Sequence, residues 1–176
     1  MAIGGILIRA EVDSRSIRAK LHELISLGQD PSEALRDIAT YGENSTRERF
    51  RMQIGPDGNR WKPSLRVQLR GGKTLTKDGH LSGSISRRSG RTFAEWGTNR
   101  VYGPAMQLGF DGTVNVPAHT REITSAFGRK LKSGVTVSVR AYSLRQKIVA
   151  RPYLGVNEEN AADIMDLLAD RIDGAR

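Results

Sequence analysis

The chain has 176 residues, enough for one domain with a real core. It contains no cysteine and no apolar run of membrane-spanning length, which excludes a disulfide scaffold, thiolate metal sites and a spanning helix. Its net charge of +9 is uneven: residues 47–91 carry twelve positive and three negative side chains, residues 112–151 carry eight and one, and both ends are mildly acidic. Such a distribution suits a nucleic-acid binder, or a subunit steered onto acidic protein surfaces.

The N-terminal stretch meets Arg9 and Glu11 too soon for a signal peptide, so a soluble, unexported protein is expected. "GGILIRAEV" (Gly4–Val12) alternates as a strand. Ser14 then caps a short helix with Ile17, Leu21, Leu24 and Ile25 as one stripe, ended by Gly28. The clearest start signal follows in "DPSE": Asp30 caps, Pro31 fits the first turn and Glu33 takes the capping-box position. This helix runs to about Met52, with Leu35, Ile38, Ala39, Gly42, Thr46 and Phe50 along its inner face. Gly42 costs roughly 1 kcal/mol relative to Ala inside a helix, so close packing against another backbone is expected there.

Residues 55–80 read as basic loop, beginning with "GPDGNRWKPS". Trp61 in that loop could stack a nucleic-acid base between Arg60 and Lys62, or fold back over the end of the long helix. "KDGHLSGSI" (Lys77–Ile85) passes from a turn through Leu81 into a strand, with "RTFAEWGT" (Arg91–Thr98) as its partner and "RRSG" between them. "VYGPAMQLGF" gives a short helical turn closed by Gly109. Residues 114–142 then have the pattern of a hairpin. "VTVSVRAY" alternates cleanly, "HTREITSAF" is its partner, and "GRKLKSG" places Arg129, Lys130 and Lys132 at an exposed tip. A last helix runs from its cap Asn157 to about Ile172, burying Ile164, Leu167, Leu168 and Ile172. Strands joined by short turns, with helices at both ends, predict a single α+β domain over residues 1–176. In it, an antiparallel sheet is packed by the long helix and the C-terminal helix, and the hairpin forms an arm.

The chemistry-bearing patterns are thin. "GGKT" (Gly71–Thr74) ends like a P-loop, but the required earlier glycine is Val67. His22, His80 and His119 lie in three segments without metal-ligand spacing, and no G-x-S-x-G elbow occurs. The carboxylates crowd the outer faces of the end helices, as solvated helix surface does. No enzyme, cofactor or metal site is therefore expected.

The order of motifs resembles the phage virion morphogenesis family, the tail-completion proteins of Mu-like phages and prophages. The resemblance rests on Pro56, Asp57, Gly58 and Trp61 of a "PDG-x-x-W" loop after a helix, and on Gly79, Leu81, Ser84 and Ile85 entering a strand. It continues through Tyr102, Gln107 and Gly109 of a turn, and Ala150, Arg151, Pro152, Tyr153, Leu154 and Gly155 before the last helix. It covers roughly residues 30–173. This chain departs from the family's usual residues at Gly103, Met106, Leu108 and Asp78.

The resemblance implies a neck or tail-end subunit that helps join a finished tail to a DNA-filled head, working as a ring of identical copies with six as the natural number. It implies virion localisation after assembly in the host cytoplasm, neck and tail proteins as partners, and no membrane. Incidental DNA contact would follow if basic residues line a lumen. A hairpin with a basic tip and an acidic terminal helix would supply the unlike faces that a ring needs. The opening loop then reads as architecture, with Trp61 pinning the turn against the sheet and Arg60 and Lys62 pointing outward. In the C-terminal turn, Arg151 meets a carboxylate or carbonyls, Pro152 stiffens and Tyr153 packs. A basic nucleic-acid-binding protein is the alternative.

Overall fold

The computed structural model describes residues 15–26, 30–126 and 129–174. The strand read at Gly4–Val12, the Ser14 cap and the Gly28 stop lie outside them. In chain order the elements are α1 (Arg15–Ser26), α2 (Ser32–Met52), α3 (Leu65–Arg70), a 3-10 turn (Ser82–Ser84), β1 (Ser86–Ser89), β2 (Ala94–Gly97), α4 (Gly103–Leu108), β3 (Phe110–Val116), β4 (His119–Ala126), β5 (Arg129–Val139), β6 (Tyr142–Ile148) and α5 (Glu158–Asp173). This is the expected α+β class. The strands among the described residues, however, form three two-stranded antiparallel ladders, β1–β2, β3–β6 and β4–β5, rather than one sheet.

The chain divides into two compact units: residues up to Gly109 together with those from Val149 onward, and Phe110–Ile148. In the first unit, α2 buries the whole predicted stripe of Leu35, Ile38, Ala39, Gly42, Thr46 and Phe50. Its N-terminal half joins Leu24 of α1 and Ile164, Leu168 and Ile172 of α5 in one apolar cluster, on which Trp96 also packs. Each large side chain so buried stabilises the fold by roughly 2 kcal/mol. Gly42 has its close neighbour, although it is a side chain and not a backbone: a Cβ at this position would overlap the Trp96 indole. Ile25 of the α1 stripe is instead exposed.

Other departures are local. Pro31, not Asp30, stands at the N-cap of α2, and the Asp30 carboxylate accepts from the Ser32 N–H and hydroxyl, a turn closed one residue early. The stretch assigned to loop contains α3, started by Ser64, whose hydroxyl accepts from the Val67 N–H. Ser82 and Ser84 donate their hydroxyls to the Gly79 and Leu81 carbonyls, which winds this stretch into a 3-10 turn and delays β1 until Ser86.

The second unit is a two-stranded ribbon. Its base pairs Phe110 with Ile148 through Val116 with Tyr142, and its outer ladder pairs His119 with Val139 through Ile123 with Val135. "HTREITSAF" is thus the partner predicted for "VTVSVRAY". The reversal lies nearer the middle than expected, because Ala126 faces Arg129 and Ser125 faces Lys130. Arg129, Lys130 and Lys132 are therefore β5 residues and not a loop. The surplus residues are taken up in a register shift between Ile123 and Ser125, where the Glu122 carboxylate lies over Gly134 in the space a Cβ would fill.

Candidate functional site

Most of the sequence motifs meet at one place in the first unit. Helix α2 ends at Met52 because Gln53 turns left-handed, with φ of 63°, while its N–H still reaches the Arg49 carbonyl. The chain then doubles back: Gly55 N–H donates to Asn59 O, and Gly58 N–H to Gly55 O. Gly58 has φ of 74°, a conformation that costs a side-chain-bearing residue energy. Asp57 closes the turn by accepting from the Asn59 side chain and N–H, which holds its carboxyl below the usual range.

This reversal delivers Trp61 to the end of the long helix. Its ring meets Phe50 edge to face at 5.4 Å, and its indole N–H donates to the Pro152 carbonyl at 2.7 Å. Trp61 is thus pinned on α2 and the C-terminal turn rather than on a sheet. With Phe50, Leu81, Ile85 and Tyr153 it forms the second apolar cluster. Arg60 and Lys62 are exposed, as expected.

The C-terminal turn is held on three sides. The Arg151 guanidinium donates to the carbonyls of Lys62 and Val149, so it meets carbonyls and, among the described residues, no carboxylate. Gln107 of α4 accepts from the N–H groups of Tyr153 and Leu154 and returns its own amide N–H to Leu154 O, at 2.8–3.0 Å. Tyr153 is wholly buried, with its ring 5.3 Å from Phe50. Arg49 completes the arrangement by donating to Tyr153 O, Gly155 O and Asn160 Oδ1. Asn160 also forms the capping box that starts α5.

Arg49 and Asn160 were not singled out by sequence reasoning. Their signals are positional: Arg49 falls three residues after Thr46 on the buried stripe, and Asn160 sits three after the cap Asn157. Gly79 accepts the Ser82 hydroxyl just before Leu81, while Tyr102 and Gly109 flank α4, with Tyr102 partly exposed. Arg129, Lys130 and Lys132 belong to the second unit and are exposed on its ribbon.

The electrostatics are those of a buried scaffold. Desolvation draws the Arg49 and Arg151 guanidiniums below their ordinary values, and burial pushes the Tyr153 hydroxyl up to about 12. Among the described residues, no group of His, Asp and Glu has metal-binding geometry, and no helix is long and apolar enough to cross a membrane. One open cleft, lined by Arg47, Arg51, Lys73, Thr76 and Ser82 over Phe50, presents three cations. Arg47 and Arg51 are already paired with Glu43 and Glu48.

These contacts define an α+β protein whose motif residues bind one stretch of backbone to another. The chain belongs to the phage virion morphogenesis family, whose pattern matches residues 12–173. It is a virion morphogenesis protein. No curated protein and no solved structure matches it.

Proposed function

We propose that this chain is a neck or tail-completion subunit that joins tail to head as a ring of identical copies, six being the natural number. Family membership supplies the setting, and the observation that carries the finer reading is the ribbon Phe110–Ile148. Across the base ladder, Val114, Val116, Tyr142 and Leu144 share one face, while Asp111, Asn115, Ser143 and Arg145 share the other. Tyr142 and Leu144 remain exposed. A two-stranded hairpin is marginal alone in water, so a ribbon with an uncovered apolar face is suited to contact another subunit. In this reading the convergent motif residues form the rigid body that carries the ribbon.

The test is molar mass by light scattering at low and high salt, with and without short duplex DNA. A mass of several chains at both salt levels, indifferent to DNA, supports the ring. A monomer that gains mass only with DNA at low salt would replace it with nucleic-acid binding, since multiple phosphate contacts weaken steeply as salt rises. Deleting residues 128–134 should impair assembly and leave the helical signal of the first unit intact.

A further inference from the structure

The outer face of α5 is a continuous acidic stripe. Glu159, Asp163, Asp166, Asp170 and Asp173 recur at spacings of four, three, four and three residues and are all exposed, while Ile164, Leu168 and Ile172 are buried behind them. Over Glu158–Asp173 there are six carboxylates and one cation, and that cation, Arg171, is already paired with Glu33 and Asp37. The ribbon has the opposite balance. Phe110–Ile148 carries seven cations and two carboxylates, so the two surfaces stand at −5 and +5. Arg121, Lys130, Lys132 and Arg140 are exposed and enter no ion pair among the described residues, and neither do Glu159, Asp166 or Asp170.

From this matched charge, and from the lack of ion pairs at Glu159, Asp166, Asp170 and the four ribbon cations among the described residues, we infer that the ribbon of one copy docks along the α5 stripe of a second copy. The inference rests on the ring reading and names the partner surface within it. The dimensions agree: sixteen helical residues span about 24 Å and eleven strand residues about 36 Å, so β5 overlies the whole stripe. The contact is heterologous, ribbon to helix, and leaves an open assembly one free ribbon at one end and one free stripe at the other until the circle closes. Charge selects and orients the partner, because like charges brought together across an interface repel strongly.

The experiment uses two full-length variants at low salt. One reverses the stripe (Glu159→Lys, Asp166→Lys, Asp170→Lys), and the other reverses ribbon charges (Arg121→Glu, Lys130→Glu, Arg140→Glu). Each variant should remain monomeric alone, because its two surfaces now lack opposite charge. An equimolar mixture should recover a multi-chain mass, the unmodified ribbon of the first meeting the unmodified stripe of the second. Circular dichroism verifies folding, and a neutral set (Glu159→Gln, Asp166→Asn, Asp170→Asn) stands in should the reversed stripe unfold; it should self-assemble less than wild type. Wild type that assembles while either reversed chain assembles equally well alone would overturn the ribbon–stripe contact and spare the ring. Reversed chains that stay monomeric when mixed would overturn it likewise. Wild type that is monomeric throughout would overturn both, and mass gained only with duplex DNA would assign the ribbon to nucleic acid.

Discussion

Replacing Trp61 by Ala removes a side chain that packs on Phe50 at the end of the long helix and donates to the Pro152 carbonyl of the C-terminal turn. Two effects add. Emptying a buried Trp site costs about 3–5 kcal/mol in transfer and cavity terms. The Pro152 carbonyl also loses its indole partner, a component that Trp61→Phe isolates at about 1–2 kcal/mol. Urea unfolding followed by far-UV circular dichroism reads both. With a slope of about 2 kcal/mol/M, the midpoint should fall by about 1.5–2.5 M for Ala and about 0.5–1 M for Phe. An Ala midpoint within about 0.3 M of wild type would refute the placement of Trp61 as the common anchor. So would Phe and Ala variants of equal stability.

Gln107→Leu leaves the Tyr153 and Leu154 N–H groups and the Leu154 carbonyl without their partner, and should cost about 2–4 kcal/mol by the same urea measurement. Gly42→Ala should destabilise by about 1–3 kcal/mol despite its better helix propensity, because the new methyl displaces Trp96; an altered near-UV dichroism would mark the indole's shift. Tyr153 sets an alkaline limit. Its hydroxyl is held at about 12 by burial, so the unfolded chain ionises first, near 10. Its contribution is complete below pH 10 and drains away as pH rises toward 12, a loss of about 3 kcal/mol. Ultraviolet tyrosinate titration of the four tyrosines should show late ionisation, to which Tyr41, raised by burial and its bond to Asp163, also contributes, and Tyr153→Phe should remove one phenol from that late step.

Period and capping made the large elements legible. The stripe of α2 and the Asn157 start of α5 depend on residues within a few positions of one another, and so does the alternation of β5. The short elements were harder. In Ser82–Ser84, hydroxyl-to-carbonyl bonds override a strand-like pattern, and α3 buries no residue that would impose a period. At the motif site, residue types were visible but partners were not. The sequence left Arg151 open between a carboxylate and carbonyls, and only the meeting of residues 62 and 151 decides it. The ribbon's reversal was not legible because two glycines in the sequence both offer a turn, and the register shift between Ile123 and Ser125, which keeps Gly134 within β5, leaves no local pattern.

The bond between Trp61 and Pro152 has a consequence for the timing of folding. When Trp61 leaves the ribosome, the carbonyl and the tyrosine ring that complete its surroundings lie some ninety residues ahead, beyond the entire ribbon. The first unit thus cannot finish its core during most of its own synthesis. Leu168 and Ile172 reach α1 and α2 later still. Closing so long a loop is a slow step, and until it happens Phe50, Leu35 and Ile38 lack their lids. A nascent chain stalled near residue 150 would present an open apolar surface, which the arrival of the C-terminal helix then covers.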